Sequence, residues 1–428
     1  MSLLKNGFIV SAPSSGSGKT TITLGLLRAL RLRGLTVRSA KSGPDYIDPR
    51  FHEAASGAAC MNVDAWAMTP DRIASLVAAD GHLIIEGAMG LFDGAPPDGK
   101  GATADLARQL GIPVVLVVDA ARMAQSVVPM VRGFVEQDAE VHVAGVILNR
   151  VGSPRHEKML RDALSHAKIT VFGAVPRSSE ITHPSRHLGL VQAQERADLE
   201  TFLNNVATLI SEAVDIDALA TLTAPAPAAL PPPRLVPPAQ RIAVAQDAAF
   251  AFAYPHILKD WRDAGAEIRF FSPLADDPAP DADLIFLPGG YPELHAGRIA
   301  QNAVFTQSIK KAASHVDIYG ECGGYMVMGN GLTDAAGNRH QMLGLLALET
   351  SFANRKLHLG YRELSALGGP FQGNWAAHEF HYATTLSAKG DPLFKATVAE
   401  GIRLADIGLR AGHACGSFAH LIDRRLSA

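Results

Sequence analysis

A glycine-rich segment near the N-terminus carries residue types that bind phosphate. The run APSSGSGKTT, residues 12–21, follows a short apolar stretch and precedes a periodic apolar segment typical of a helix. Glycines let backbone N–H groups turn toward an anion, and a helix N-terminus adds a favourable dipole. Pro13 stands where the usual phosphate-loop motif has its first glycine. We predict an ATP-binding loop whose contact residues are Gly16, Gly18, Lys19, Thr20 and Thr21.

Acidic side chains follow two further predicted strands. Asp45 and Asp48 come just after the second strand, and Glu86 ends a buried strand in HLIIEG. The carboxyl ends of parallel strands converge on one crevice. Mg²⁺ prefers hard oxygen ligands from carboxylates and phosphates. The predicted magnesium ligands are therefore Thr20, Glu86 and one of the two aspartates, Asp45 in the first instance.

Two further polar residues end strands of the same region. Lys41 could pair with a phosphate or with a substrate carboxylate. Asn149 ends the strand GVILNR, where its amide could read the edge of the adenine ring or cap the strand. We include Asn149 among the predicted ATP contacts.

A cysteine in the C-terminal half has the setting of a nucleophile. In YGECGGYMV, residues 319–327, Cys322 lies between a predicted strand and a predicted helix, with glycines beside it. This is the layout of a nucleophile elbow, and the helix N-terminus would lower the thiol pKa. Backbone N–H groups of Gly290 and Gly323 could form an oxyanion hole. His420, after a short predicted strand, is the predicted base.

Other residues near this site leave alternatives open. Asp423 and Glu293 are both candidates for a third member of the cysteine–histidine site. The run HEFHYA, residues 378–383, places two histidines three positions apart beside a glutamate. A metal-binding pair is one interpretation, and a polar lining of a substrate cleft is the favoured one. Cys60 and Cys415 have no comparable setting and are predicted to be structural.

The order of predicted elements indicates how these residues are positioned. Short apolar strands alternate with helix-like segments in both halves, a pattern typical of parallel α/β sheets. Seven of the 26 prolines fall between residues 221 and 240, which predicts a linker. The predicted organisation is an ATP-binding domain over 1–220, a Pro/Ala-rich linker over 221–240, and a second α/β domain over 241–428.

Composition excludes several other classes of protein. The 39 basic and 42 acidic residues leave a net charge of −3, which offers no electrostatic basis for binding nucleic acid or a membrane surface. Three widely spaced cysteines form neither a disulfide framework nor a CxxC metal site. The N-terminus has no signal-peptide pattern, and the apolar run IPVVLVV is too short to span a bilayer. We expect a cytoplasmic protein, and the sequence leaves a homodimer open.

Together these motifs resemble the hydrogenobyrinic and cobyrinic acid a,c-diamide synthase family of cobalamin biosynthesis. The resemblance covers essentially the whole chain, and KSGPDYIDP and HEFHYA are its most specific signatures. It implies a P-loop domain like that of dethiobiotin synthetase, followed by a class I glutamine amidotransferase domain. Two positions depart from the family pattern: Ser185 stands where Glu is frequent, and Ala376–Ala377 stand where Arg-Gly is common.

The resemblance also implies roles for the candidate residues. Cys322 matches the glutaminase nucleophile and His420 its base, and the family lacks the usual acidic third member. The implied reaction uses ATP, Mg²⁺ and L-glutamine to amidate corrin carboxylates through an acyl phosphate. The positions expected to contact substrate or acyl phosphate are Lys41, Asp45, Tyr46 and Asp48.

Two alternative functions stay open at this point. A cobyric acid synthase would use the same two domains on other carboxylates. An ATPase switch controlled by a partner would keep the phosphate loop and carry an inactive amidotransferase-like domain. The intact cysteine, its glycines and His420 argue against the switch.

Overall fold

The structure is a computed structural model that describes residues 4–178, 192–225 and 234–425. The chain divides into two compact units, Met1–Pro233 and Arg234–Ala428. Ser185 and residues 226–233 of the predicted linker lie outside the described residues. Among the helices that the structure describes, none is long and apolar enough to cross a membrane.

A largely parallel sheet forms the centre of the first unit. Its main strand order is β3-β2-β4-β1-β5-β6-β7, and β8 pairs antiparallel with β1. The run VVLVVD of β5 is apolar almost throughout because both faces of this strand are covered. The strands are β1 (Leu4–Ser11), β2 (Val37–Ser42), β3 (Met61–Val63), β4 (His82–Glu86), β5 (Val114–Asp119), β6 (Val143–Val151), β7 (Val171–Pro176) and β8 (Thr223–Pro225).

Helices of the first unit begin at recognisable signals. Ser153 caps α6 by accepting a hydrogen bond from the backbone N–H of His156 at 3.2 Å, and Pro154 occupies its first turn. Gly25 of α1 lies close to Val206 and Ile210 of α7. The helices are α1 (Lys19–Leu32), α2 (Asp48–Ser56), α3 (Pro70–Val77), α4 (Thr103–Leu110), α5 (Val127–Glu136), α6 (Pro154–His166), α7 (Leu199–Ala213) and α8 (Ile216–Ala220).

The second unit contains one mainly parallel sheet and two smaller sheets. The strand orders are β10-β9-β11-β12-β21-β20, β14-β13-β15-β18 and β19-β16-β17-β22. The strands of the first sheet are β9 (Arg241–Ala245), β10 (Glu267–Phe271), β11 (Leu284–Leu287), β12 (Asp317–Glu321), β20 (Leu409–Ala411) and β21 (Ala414–Ser417). Those of the smaller sheets are β13 (Gly331–Thr333), β14 (Arg339–Gln341), β15 (Ala347–Ser351), β16 (His358–Ala366), β17 (Asn374–His381), β18 (Thr384–Lys389), β19 (Phe394–Val398) and β22 (Ala419–Arg424).

Four helices accompany these strands. Phe250, Phe305 and Leu348 belong to a buried apolar cluster of the unit that also includes residues of α12. The helices are α9 (Pro255–Asp263), α10 (Ala296–Gln301), α11 (Ala303–Ala312) and α12 (Gly323–Met328).

The predicted α/β class is confirmed, and two details differ from the sequence prediction. The start of the segment predicted as linker forms β8 in the first unit. The region after Leu343, where the sequence indicates shorter and less regular segments than in the rest of the domain, supplies the strands of an antiparallel four-stranded sheet. These strands lack a regular alternation of polar and apolar residues: β16 buries only Leu364, whereas β22 is buried from Ala419 to Asp423 with His420 among its buried residues.

Candidate active sites

The loop between β1 and α1 has the backbone conformation that its glycines allow. Gly16 and Gly18 have φ angles of 80° and 93°, in the left-handed region that disfavours side chains. A Cβ at Gly18 would lie 2.2 Å from the side-chain nitrogen of Asn149. That amide donates to the Ser17 carbonyl at 2.8 Å. Asn149 therefore holds the glycine-rich loop, and Gly18 leaves room for its side chain.

Lys19 and Thr20 follow the loop on the first turn of α1. The Lys19 ammonium donates to the backbone carbonyls of Ser14, at 3.4 Å, and of Met89. Burial lowers the pKa of Lys19, while the nearby Glu86 carboxylate acts in the opposite direction. The Thr20 hydroxyl donates to Glu86 Oε1 at 2.6 Å. The predicted loop residues thus meet the end of β4.

A compact group of charges surrounds Lys41 at the end of β2. Its ammonium lies 2.7 Å from Asp48 Oδ2 and 2.8 Å from Glu86 Oε1. Burial alone would lower the pKa of Lys41, but Asp48 and Glu86 outweigh it and raise that pKa well above its ordinary value. Lys41 is therefore a buried counter-ion for two carboxylates.

Glu86 is held from a second direction by a residue that sequence reasoning missed. His52 of α2 places Nε2 2.6 Å from Glu86 Oε2, and Cys60 Sγ lies 3.5 Å from His52 Nδ1. Burial favours the neutral acid, but Lys41 and His52 together hold the pKa of Glu86 well below its ordinary value. Burial opposes a charged His52, yet Cys60 and Glu86 raise its pKa to about 10. The helix α2 that carries His52 is itself absent from the predicted elements.

The two aspartates predicted near Mg²⁺ have different positions. Thr20 Oγ1 lies 3.4 Å from Asp48 Oδ2, so Asp48 joins Thr20 and Glu86. Asp45 instead accepts hydrogen bonds from the backbone N–H groups of Ile47 and Asp48, at 2.8 and 3.0 Å, at the start of α2. Burial and the charge of Asp48 raise the pKa of Asp45 to about 6. The structure thus favours Asp48 over Asp45 as the neighbour of Thr20.

A cavity of about 1180 Å³ opens over this group. Tyr46, predicted as a substrate contact, is only 7% exposed and is absent from the described residues that line the cavity. All of the predicted nucleotide and magnesium residues line it, together with residues that were not predicted. The added lining residues include Asp119, Arg122, Met123, Arg150, Pro176 and Arg177.

Cys322 forms a sharp turn between β12 and α12. Its φ and ψ angles of 45° and −101° are strained for a residue with a side chain. Its thiol sulfur lies 4.0 Å from the Phe380 carbonyl oxygen. Burial and the charge of Glu293 raise the pKa of the Cys322 thiol, although the Gly323 N–H acts in the opposite direction. In this state the pKa shift is opposite to the lowering expected from the helix N-terminus.

His420 and two glycine-rich turns complete the surroundings of Cys322. A Cβ at Gly289 would lie 2.4 Å from His420 Cε1 and 3.2 Å from Cys322 Cβ, so Gly289 leaves the space that both residues use. A Cβ at Gly323 would lie 2.9 Å from the Gly290 nitrogen, which places the two predicted oxyanion-hole glycines side by side. His420 follows the short strand β21, as predicted, and is the second residue of β22.

One carboxylate close to His420 went unnoticed in the sequence. Glu321 Oε2 lies 3.6 Å from His420 Nδ1. Glu321 is the last residue of β12 and directly precedes Cys322. No pattern of spacing links it to His420, which lies about a hundred residues later and meets it only through the sheet.

The HEFHYA run forms a polar cluster next to this site. His358, Glu379 and His381 are the one group within the described residues whose atoms are close enough to hold a metal ion. However, Arg362 pairs with Glu379 at 2.9 Å, and both ring nitrogens of His381 face oxygen acceptors. His378 instead lies opposite His420 on the neighbouring strand. Burial, and to a smaller extent the nearby His420, lowers the pKa of His378 to about 3. This geometry favours the polar-lining interpretation.

Comparison with known proteins agrees with the two-unit architecture. Residues 8–191 match the CobQ/CobB/MinD/ParA nucleotide binding domain. Residues 241–425 match the CobB/CobQ-like glutamine amidotransferase domain. The fold and its two sites define a carbon–nitrogen ligase that combines a nucleotide-binding part with a glutamine amidotransferase part.

Curated proteins named hydrogenobyrinate a,c-diamide synthase are similar along nearly the whole chain. The Brucella anthropi protein is 55% identical over 97% of this chain and 98% of its own. The Rhizobium meliloti protein is 52% identical over 98% and 99%, respectively. The Rhodobacter capsulatus protein is 50% identical over 97% and 98%. The chain therefore belongs to the hydrogenobyrinate a,c-diamide synthase family, as its motifs predict.

Proposed function

We propose that this protein uses ATP and glutamine to convert the a and c side-chain carboxylates of hydrogenobyrinic acid into amides. The observation that carries the proposal is the presence, in one chain, of a phosphate cleft and a cysteine–histidine site. The first can activate a carboxylate, and the second can release ammonia. The name that the relatives share is the basis for the proposed corrin substrate and for the a and c carboxylates as the positions of amidation.

The second unit would release ammonia from glutamine. The Cys322 thiolate attacks the side-chain amide carbon, and His420 takes the thiol proton. The Gly290 and Gly323 N–H groups receive the developing oxyanion, a role that their adjacent placement supports. His420 then protonates the departing nitrogen, ammonia leaves, and water hydrolyses the thioester to glutamate.

The raised pKa of Cys322 in this state makes His420 essential to the scheme. Because burial and Glu293 disfavour the free thiolate, the proton must pass to a nearby base as glutamine binds. The buried His420, which shares with Cys322 the space beside Gly289, is suited to this task.

The first unit would activate the corrin carboxylate. A carboxylate oxygen attacks the γ-phosphorus of ATP, ADP leaves, and an acyl phosphate forms. Ammonia then attacks the acyl carbon and displaces inorganic phosphate. Gly16, Gly18, Lys19 and Thr21 would bind the phosphates, with Lys19 balancing their charge. Asn149 would support the loop, since its amide already contacts the Ser17 carbonyl.

The oxygen donors of the cleft fit Mg²⁺. Thr20, Asp48 and Glu86 bring a hydroxyl and two carboxylates together, which is the donor chemistry that Mg²⁺ prefers. When bound, Mg²⁺ supplies neutralisation of negative charge on the transferred phosphoryl group. Lys41 already neutralises the two carboxylates from the protein side, and Asp45 fixes the start of the helix that carries Asp48. Lys41 and Asp45 would thus position the ligands.

A product assay tests the proposed substrate. The protein is incubated with ATP, Mg²⁺ and glutamine, and with hydrogenobyrinic acid or cobyrinic acid in parallel. We expect the diamide of the metal-free corrin, identified by the mass change that accompanies replacement of a carboxylic OH by NH2 at two positions. Amidation of other carboxylates would instead support the cobyric acid synthase alternative. ATP hydrolysis without any amide product would support the ATPase switch.

Two predictions from the sequence concern the protein's surroundings. A cytoplasmic location is testable by cell fractionation. Sedimentation at several concentrations will decide between a monomer and the homodimer that the sequence leaves open.

A further inference from the structure

No third residue has yet been assigned to the site that Cys322 and His420 form. A base that alternately takes and gives a proton works best when its ring is held in one orientation by a partner on the opposite nitrogen. We propose that Glu321 is this partner, a positioning residue that orients His420 for the proton transfers at Cys322. This inference rests on the proposed function of the second unit.

The distance between the two groups supports the assignment. Glu321 Oε2 lies 3.6 Å from His420 Nδ1, and their side chains are only 5% and 0% exposed. This is an ion-pair distance slightly longer than a hydrogen bond. Catalytic hydrogen bonds are often long in proteins without substrate and shorten when the substrate binds. A shift of less than about one ångström would bring the pair into hydrogen-bond range.

The other oxygen of Glu321 is held in place. The backbone N–H of Leu421 donates to Glu321 Oε1 at 3.1 Å, and the Tyr319 hydroxyl donates to the same oxygen at 3.3 Å. Burial and Glu321 raise the pKa of Tyr319 well above its ordinary value, so its hydroxyl remains a donor. Two donors on Oε1 leave Oε2 directed at the histidine.

The backbone couples all three members of the site. Glu321 and Cys322 are consecutive at the end of β12. The Cys322 N–H donates to the Ser417 carbonyl at 2.8 Å, and the Leu421 N–H next to His420 donates to Glu321. The nucleophile, the histidine and the carboxylate are therefore fixed by the same few strand residues. A carboxylate in this position would stabilise the imidazolium that forms during the reaction.

The inference distinguishes Glu321 from the two candidates that the sequence suggested. Glu293 influences the Cys322 thiol directly and disfavours its ionisation. Asp423 accepts a hydrogen bond from the Arg424 backbone N–H at 2.9 Å. Glu321 Oε2 lies at an ion-pair distance from His420 Nδ1, which makes Glu321 the best supported of the three.

The test compares Glu321→Gln with Asp423→Asn in the full-length protein. Glutamine keeps the shape of the side chain and can still accept from the Leu421 N–H, but it loses the negative charge beside His420. We expect kcat for glutamine hydrolysis to fall about 100-fold while KM for glutamine stays within about twofold, because the proposed role of Glu321 is exerted through His420 and not on glutamine itself. Asp423→Asn should leave both constants within about twofold of the original.

Further variants separate failure of the inference from other failures. Tyr319→Phe keeps the ring and removes one donor to Glu321, and it should lower kcat about threefold with KM unchanged. This variant decides the question if Glu321→Gln does not fold, as judged by its thermal unfolding. An unchanged kcat in a folded Glu321→Gln, or a large loss in Asp423→Asn, would overturn the inference. If His420→Asn also hydrolysed glutamine normally, the proposed function itself would fail.

Discussion

The two sites prepare for their reactions by different means. In the first unit, charged side chains meet one another: Lys41 is bound to Asp48 and Glu86, and Glu86 is bound again by His52. In the second unit, a strained backbone holds Cys322, and Gly289 leaves space for its base. The first arrangement suits a highly charged nucleotide, and the second suits nucleophilic attack on an uncharged side-chain amide.

This difference has a consequence for how each site tolerates change. An ion-pair network loses binding when one charge is removed, because its partner is left buried and uncompensated. A site built on glycines fails when volume is added, even if no charge changes. Charge-removing variants should therefore damage the first unit most, and volume-adding variants should damage the second.

The largest effect should come from Lys19→Ala. Removing the ammonium leaves phosphate charge unbalanced, so amidation should fall by about 10³-fold with glutamine or with ammonia as the nitrogen source. The control is Lys158→Ala, whose side chain is 76% exposed and pairs with Asp162 on the same helix. Near-normal amidation by Lys19→Ala, measured as product formed per minute, would refute the phosphate site.

Adding one methyl group should disable the second site. In Gly289→Ala the new Cβ would lie 2.4 Å from the His420 ring, so the ring must move away from Cys322. We expect glutamine hydrolysis to fall about 100-fold, with ammonia-dependent amidation nearly unchanged. Gly133→Ala is the matched control, because nothing lies within 4 Å of its added Cβ. Normal glutaminase activity in Gly289→Ala would show that this space is not required.

The two aspartates should respond differently to loss of charge. Asp48→Asn removes a carboxylate that faces Thr20, and it should raise the Mg²⁺ concentration for half-maximal activity about tenfold. Asp45→Asn can still accept the backbone hydrogen bonds at the start of α2, and its Mg²⁺ requirement should change less than threefold. Titration of activity with Mg²⁺ measures both. The opposite order would restore Asp45 as the ligand, as the sequence first suggested.

The smallest effect concerns stability and pH. The pKa of His52 is raised to about 10 in the folded protein, so the stability from its charge is fully present below its unfolded value near 6.5. That stability is lost as pH rises through 10. His52→Asn should lower the melting temperature of the first unit by about 4 °C at pH 6 and by less at pH 10. Exposed His166→Asn serves as control, and a pH-independent difference would contradict the assignment.

The phosphate loop and the cysteine turn could be predicted from the sequence because the residues next to them along the chain already indicate their chemistry. The glycines and Lys19 sit between an apolar strand and a periodic helix, and Cys322 is bracketed by glycines after a buried strand. In such places the backbone requirement and the chemistry select the same residues. The α/β class was predicted from the alternation of strands and helices in both halves and the family from motifs along the whole chain, and both predictions are confirmed.

Other parts depend on contacts between distant segments and left no local trace. His52 reaches Glu86 across 34 positions, and Glu321 reaches the His420 strand across about a hundred. Asp45 and Asp48 are indistinguishable by spacing, and only the start of α2 separates a capping carboxylate from one facing Thr20. For His52 and Glu321 the partner lies on a distant segment that only the folded chain brings close, so no short window of sequence contains both groups.

The most direct test of two separable sites is amidation by Cys322→Ser with each nitrogen source. Isotopically labelled glutamine or labelled ammonia is supplied with ATP, Mg²⁺ and hydrogenobyrinic acid, and the label in the amide product is measured. We predict a loss of at least about 10³-fold with glutamine and a rate within about twofold of the original with ammonia. Retained glutamine-dependent labelling would contradict the role of Cys322. Loss of labelling from both sources would contradict the independence of the two sites.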